Sequence, residues 1–303
     1  MPQHRTIEVG GRSVHLAEQG EGPLVLLLHG FPESWYSWRH QFAPLAAAGY
    51  HVVAPDQRGY GASDRPEATD QYTIHHLVGD VVGLIQALGR TEAVVCGHDW
   101  GATVAWQTAL MRPDVVRAVA GLSVPPVPRG PFPPLALARE RFGANFYQNY
   151  FQLPEIPEAE LSRDVATTMR TVLTGSQAED PAPGLLGGLS TPDVLPDWLG
   201  EDDLAVFTEQ FERSGFRGPL NWYRNIDRNW ELTAAWQGAR ITPPSLYLSG
   251  TDDVVRTFLP FGDPMRAMVP DLHAAIDLPG GHWIQQERPA EVSAALLDFL
   301  RQL

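Results

Sequence analysis

Short, almost unbroken apolar runs set the strongest limit on how this chain can fold. Residues 23–30 (PLVLLLHG), 50–55 (YHVVAP) and 92–97 carry too few polar side chains to face water on either side. Runs of that length read as strands covered on both faces, as in a parallel sheet. Helical spacing recurs between them. In 73–89, Ile74, Leu77, Val78, Val81, Leu84, Ile85 and Leu88 share a face, and Gly89 supplies a stop. Residues 36–48 and 100 to about 112 read as further helices, 116–124 as another strand, and 12–18 (RSVHLAE) as a half-buried edge strand. Strand-helix alternation implies right-handed crossovers, hence an α/β fold with a mostly parallel central sheet flanked by helices.

The rhythm breaks at 125–134 (PPVPRGPFPP), which can neither stay helical nor join a central strand. From there to about 236 the chain reads as helices and loops with aromatic clusters. Strands resume at 245–250 and 273–281. A last helix opens at Pro289, with Val292, Ala295, Leu296, Phe299 and Leu300 on one face. The predicted organisation is a core of residues 1–125 and 237–303, interrupted by a mainly helical cap at 126–236.

A 44% hydrophobic, 10% aromatic composition over 303 residues supports a sizeable core. A net charge of −14 argues against a nucleic-acid partner, which needs a basic face. The single cysteine, Cys96, excludes an intramolecular disulfide and reads as a small buried hydrophobe. The polar first 22 residues lack an apolar signal core. No apolar run approaches the roughly 18–20 residues that span a bilayer. The expectation is a soluble, cytoplasmic protein with no membrane partner. There is no phosphate loop, and His75-His76 lacks a spaced acidic partner, so neither an organic cofactor nor a metal is expected.

Gly97-His98-Asp99-Trp100-Gly101 joins a strand to a helix in too few residues for anything but a sharp turn. An aspartate there can be a plain helix N-cap. The pattern Gly-x-[Ser/Cys/Asp]-x-Gly also arises by chance. Its setting, strand before and helix after, is that of a nucleophile elbow, with Asp99 in the slot serine takes in esterases. Such sites place nucleophile, acid and base in that chain order. Residues 249–255 (SGTDDVV) offer Asp252 and Asp253 after one strand, and spacing does not choose between them. Residues 278–285 (LPGGHWIQ) present His282 after the last strand. In 27–38 (LLHGFPESWYSW), a strand ending in His-Gly can turn the N–H of Phe31 toward the corner. With the N–H of Trp100 it would form an oxyanion hole. Phe31-Pro32 is a candidate cis bond. His29 and residues 56–66 (DQRGYGASDRP) read as braces rather than chemistry.

With these residues together, the chain resembles the α/β-hydrolase fold and, within it, the soluble epoxide hydrolases, from about residue 5 onward. The carriers are His29-Gly30-Phe31-Pro32, Gly97-His98-Asp99-Trp100-Gly101, NFYQNYFQ (145–152), GFRGPLNWYRN (215–225), Asp253 and Gly281-His282-Trp283. The resemblance selects Asp253 as the acid. It also selects Tyr147, over Tyr150, and Tyr223 as the lid tyrosines. It implies attack of Asp99 on an epoxide carbon, protonation of the epoxide oxygen by the two tyrosines, and hydrolysis of the ester by water that His282 activates. The product is a vicinal diol. The expected partners are a small apolar epoxide and water; monomer and homodimer both stay open.

Haloalkane dehalogenases share the Asp-Trp elbow and the ester. They expel a halide, which wants N–H donors; Trp100 fits, but Phe31 stands where asparagine is common. Fluoroacetate dehalogenases place arginine where this chain has Trp100. A serine esterase needs a hydroxyl at the corner. A non-catalytic binder of small molecules on the same scaffold has no use for Asp99, Asp253, His282, Tyr147 and Tyr223 all together.

Overall fold

A computed structural model describes residues 2–259 and 262–303. The chain divides into two compact units. One comprises Met1–Gln57, Ile74–Pro128 and Trp236–Leu303; the other comprises Arg58–Thr73 and Arg129–Ala235.

The first unit is built on an eight-stranded sheet. Its strands are β1 (Gln3–Val9), β2 (Arg12–Gln19), β3 (Leu24–Leu28), β4 (His51–Pro55), β5 (Ala93–His98), β6 (Val116–Leu122), β7 (Ser245–Gly250) and β8 (Leu272–Leu278). They lie in the order β1-β2-β4-β3-β5-β6-β7-β8. β1 and β2 pair antiparallel, as do β2 and β4; all other pairs are parallel. Every residue of β3 and β5 is buried, which is why their sequences carry no alternation. Val25, Leu27, Val52, Ala118 and Leu248 form one core with Trp38, Phe42 and the C-terminal helix Pro289–Leu300. Burying each of the larger aliphatic side chains contributes about 1.5–3 kcal/mol. Burial also pushes the Cys96 thiol up to about 12, so it packs as a hydrophobe and is not a nucleophile.

The sheet corrects one expectation. Residues 12–18 do not form the edge, because β1 pairs outside them. β1 is mostly polar and exposed, so its strand character is weak in the sequence. Its signal lies in Gly10-Gly11. Both residues have positive φ, the twist a two-residue hairpin requires, and Val9 pairs with Arg12 across them. The expected helix over 36–48 is also shorter. A single 3-10 turn at Trp35–Trp38 precedes α1 (Phe42–Ala47).

Helices α2 (Ile74–Ala87) and α3 (Trp100–Met111) follow the spacing read from the sequence. From β3 the chain moves to β4 on one side, then returns to β5 on the other. The reversal makes a switch point at the C-terminal ends of β3 and β5, where open α/β sheets form a crevice.

The second unit is mainly helical, including Ile156–Ser162, Val165–Thr174, Glu201–Ser214 and Arg217–Arg224. Asp56 and Gln57 stay with the sheet, whereas the segment from Arg58 groups with these helices. The backbones of Gly59 and Gly218 touch so closely that a Cβ on either would collide with the other. Trp222 Nε1 donates to Arg58 O at 3.0 Å, and Thr69 Oγ1 donates to Asn221 Oδ1 at 3.3 Å.

Candidate active site

The corner after β5 is tight because glycines permit it. A Cβ on Gly97 would strike the Gly101 carbonyl, and one on Gly101 would strike the Leu28 carbonyl. Asp99 between them takes φ 53°, ψ −121°, a strained conformation for a non-glycine residue. Asp99 occupies the N-cap position of α3, yet its side chain makes no capping bond. Its Oδ1 instead accepts a hydrogen bond from the Phe31 N–H at 2.8 Å. The Trp100 N–H also acts on this carboxylate. The two N–H groups named from the sequence therefore converge on one side chain. Gly30 makes this approach possible, since a Cβ there would strike the Asp99 carboxylate. Phe31-Pro32 is cis. His29 braces the loop: its Nδ1 pairs with Gly30 O at 2.9 Å and its Nε2 accepts from the Gln57 N–H at 3.0 Å.

His282 follows β8 and Asp253 follows β7. His282 Nδ1 lies 3.0 Å from Asp253 Oδ1, and its Nε2 lies 3.7 Å from Asp99 Oδ2. Asp252 is exposed, whereas Asp253 is 2% exposed and also accepts from the Val255 N–H at 2.9 Å. Burial raises the Asp99 carboxyl above the usual range; His282, His98 and the two N–H groups pull it down without winning. A carboxylate so stripped of water is a stronger nucleophile. For Asp253 the balance is reversed. Burial raises its pKa, but the charge and hydrogen bond of His282, with help from Ser123 and Val255, bring it to about 2. Burial lowers the His282 pKa, and Asp253, Asp99 and Glu33 overcome this to raise it to about 9.

Two further groups support these residues and were not read from the sequence. Glu33 is fully buried. Its Oε2 pairs with His98 Nδ1 at 2.8 Å, and its Oε1 accepts from Gln285 Nε2 and Gln286 Nε2, each at 2.9 Å. His98 Nε2 bonds the main-chain carbonyl of His282 at 2.8 Å. Burial raises the Glu33 carboxyl, but His98, His29 and His282 together hold it below its ordinary value. Removing one partner of such a buried pair typically costs about 3–5 kcal/mol. The signal was the glutamate closing His29-Gly30-Phe31-Pro32-Glu33, which looks like an ordinary loop residue until the fold brings Gln285-Gln286 beside it. The second group is Ser123, at the end of β6, whose hydroxyl contacts both Asp253 and His282. A lone serine ending an apolar strand carries no motif.

In the second unit, Tyr147 and Tyr223 lie with ring centroids 5.9 Å apart, and Phe151 packs edge-on against both. Tyr223 is buried and Tyr147 half-buried. Gln148 Nε2 donates to the Tyr147 hydroxyl at 3.1 Å. Tyr150 is engaged elsewhere: burial and a hydrogen bond with Glu160 push its pKa up to about 12.

Residues 23–289 match the model of the alpha/beta hydrolase fold family. The chain is 48% identical to epoxide hydrolase A of Mycobacterium tuberculosis, with 100% of this chain and 98% of that protein covered. The chain belongs to the epoxide hydrolase family. Epoxide hydrolase 1 of Siraitia grosvenorii is 42% identical over 99% of this chain and 98% of its own length. Among solved structures, epoxide hydrolase A from Mycobacterium thermoresistibile superposes with a TM-score of 0.95 at 48% identity, covering 99% of this chain and 98% of that one. An epoxide hydrolase from Vigna radiata superposes with a TM-score of 0.93 at 39% identity, covering 100% and 98%. Among the described residues of this epoxide hydrolase family member, no helix is long and apolar enough to cross a membrane. No group of three or more histidine, cysteine, aspartate and glutamate side chains among them is placed to hold a metal ion.

Proposed function

We propose that this chain hydrolyses a small apolar epoxide to a vicinal diol through a covalent ester on Asp99. The observation that carries the reading is the division of labour between the two Asp99 oxygens. Oδ1 is held by the Phe31 N–H at 2.8 Å, which leaves Oδ2 as the attacking atom. Oδ2 displaces the epoxide oxygen from carbon, and the departing alkoxide takes a proton from Tyr147 or Tyr223. Phenols suit this task, because they donate without placing a full charge in an apolar site.

The ester carbonyl is then Oδ1, which accepts from the Phe31 N–H, with the Trp100 N–H acting on the same carboxyl group. Water attacks the ester carbon while His282 Nε2 takes one of its protons. Alkylation removes the Asp99 charge, one of the groups that raise the His282 pKa, which eases release of the ring's extra proton to solvent; the ring regains that proton when the Asp99 carboxylate re-forms. Collapse of the oxyanion expels the diol oxygen, which takes the proton back from His282. The remaining proton leaves the Asp99 carboxyl and returns through solvent to the tyrosinate. Atoms balance as epoxide plus water giving diol.

Single turnover in oxygen-18 water tests this route. The label is expected in the Asp99 carboxylate, with the first diol formed carrying an unlabelled oxygen from Asp99. Label entering the first diol directly would mean that water opens the epoxide itself.

A further inference from the structure

We propose that Ser123 is a positioning residue whose hydroxyl, turned toward Asp253, keeps the His282 proton on Nδ1 and leaves Nε2 free as the base. The inference rests on the ester mechanism above and concerns its second half.

Ser123 is held with unusual care. It is fully buried and takes φ 69°, which no other non-glycine residue shares among those described except Asp99 and Glu155. Its N–H donates to Leu248 O at 2.8 Å, and its carbonyl accepts from the Tyr247 hydroxyl at 2.8 Å. The backbone is thus pinned to β7 on both sides. What this placement achieves lies at the side chain. The Ser123 hydroxyl donates to Asp253 Oδ2, and its oxygen lies 2.8 Å from His282 Nδ1. His282 Nδ1 is also 3.0 Å from Asp253 Oδ1.

Proton counting assigns the direction of each bond. An ionised carboxylate only accepts, and a hydroxyl has one proton to donate. With that proton committed to Asp253, Ser123 Oγ can only accept from the ring. Both neighbours of Nδ1 are then acceptors, so Nδ1 carries the proton and, in the neutral ring that ester hydrolysis uses, Nε2 keeps its lone pair. The orientation of the hydroxyl depends on Asp253. Without that carboxylate, the hydroxyl is free to turn and donate to Nδ1. That bond favours the opposite tautomer, with Nε2 protonated and unable to act as base. The same hydroxyl therefore assists ester hydrolysis when Asp253 is present and opposes it when Asp253 is absent.

The test follows adduct mass by rapid quench with styrene oxide in the wild type, Ser123→Gly, Ser123→Ala, Asp253→Ala and the double variant Asp253→Ala/Ser123→Gly. Glycine accepts the positive φ and alanine does not, so agreement between their rates assigns the effect to the hydroxyl rather than the backbone. Ser123→Gly is expected to form ester within about twofold of the wild-type rate and to break it down about tenfold more slowly, the scale of one charge-assisted hydrogen bond. The double variant is expected to break ester down several-fold faster than Asp253→Ala alone. Unchanged breakdown in Ser123→Gly, equal slowing of both steps, a difference between the glycine and alanine rates, or a double variant slower than Asp253→Ala would each overturn the assignment. An absence of adduct in all five proteins would overturn the ester mechanism itself and the inference with it.

Discussion

His282 Nε2 lies 3.7 Å from Asp99 Oδ2, while Oδ1 of the same carboxylate accepts from the Phe31 N–H at 2.8 Å. The ring is close enough for its charge to act on the carboxylate, yet the gap exceeds a hydrogen bond. The carboxylate is therefore held by the Phe31 N–H through Oδ1, while Oδ2 faces the His282 ring. This asymmetry is the source of the first expectation.

Asp99→Ala removes the attacking atom and should abolish diol formation, with a loss of at least about 10⁴-fold. Burial disfavours the Asp99 charge, so its removal relieves a cost and the thermal midpoint should stay near that of the parent. Product analysis and calorimetry on one preparation check both statements. Substantial residual diol from a folded variant would assign the nucleophile elsewhere.

His282→Gln should separate the two half-reactions. Asp99 remains able to attack, but nothing activates water for ester hydrolysis. Intact-protein mass should rise by the mass of the epoxide and stay raised. A variant that stays unmodified after prolonged exposure would speak against a covalent route.

Tyr147→Phe and Tyr223→Phe remove the two phenolic donors one at a time. Each should slow ester formation by roughly 10²-fold or less, since its partner remains, and the double variant should nearly stop it, given that acid assistance is worth about 10²–10⁴ in rate. Rapid-quench kinetics would reveal the step affected. Slower ester breakdown with formation unchanged would contradict the assignment.

The Asp253–His282 pair should leave a mark on stability against pH. His282 is raised from 6.5 to about 9, so its contribution is complete below about 6.5 and is lost as pH rises through 9. Asp253 is lowered from 3.8 to about 2, so its contribution is present above about 3.8 and is lost as pH falls through 2. Both describe one ion pair and are not additive. Urea midpoints of the wild type minus those of Asp253→Ala should form a plateau between pH 4 and 6.5 and shrink on both sides, as measured across buffers of equal ionic strength. A difference that does not vary with pH would remove the pair from the stability account.

Much of this was readable in the chain, for a physical reason. β3 and β5 are buried on both faces, so their sequences had to be apolar throughout, and Asp99 stood out at the end of one of them. His282 was found by its place after the last strand. Other features depend on contacts between distant segments and leave no local trace. Asp252 and Asp253 differ only in which one the turn after β7 buries. Glu33 meets Gln285 and Gln286 only across the folded sheet. β1 escaped because its side chains face solvent, so a strand was present without the pattern that advertises one.

The seam between Gly59 and Gly218 has a consequence for anyone who would re-engineer this scaffold by exchanging parts with a relative. Two backbones that meet without side chains tolerate no mismatch, and Trp222 fastens its indole to the same stretch. A chimaera that transplants 129–235 by itself would leave the foreign helices against a host loop shaped for others. The transplant has to carry 58–73 along with it.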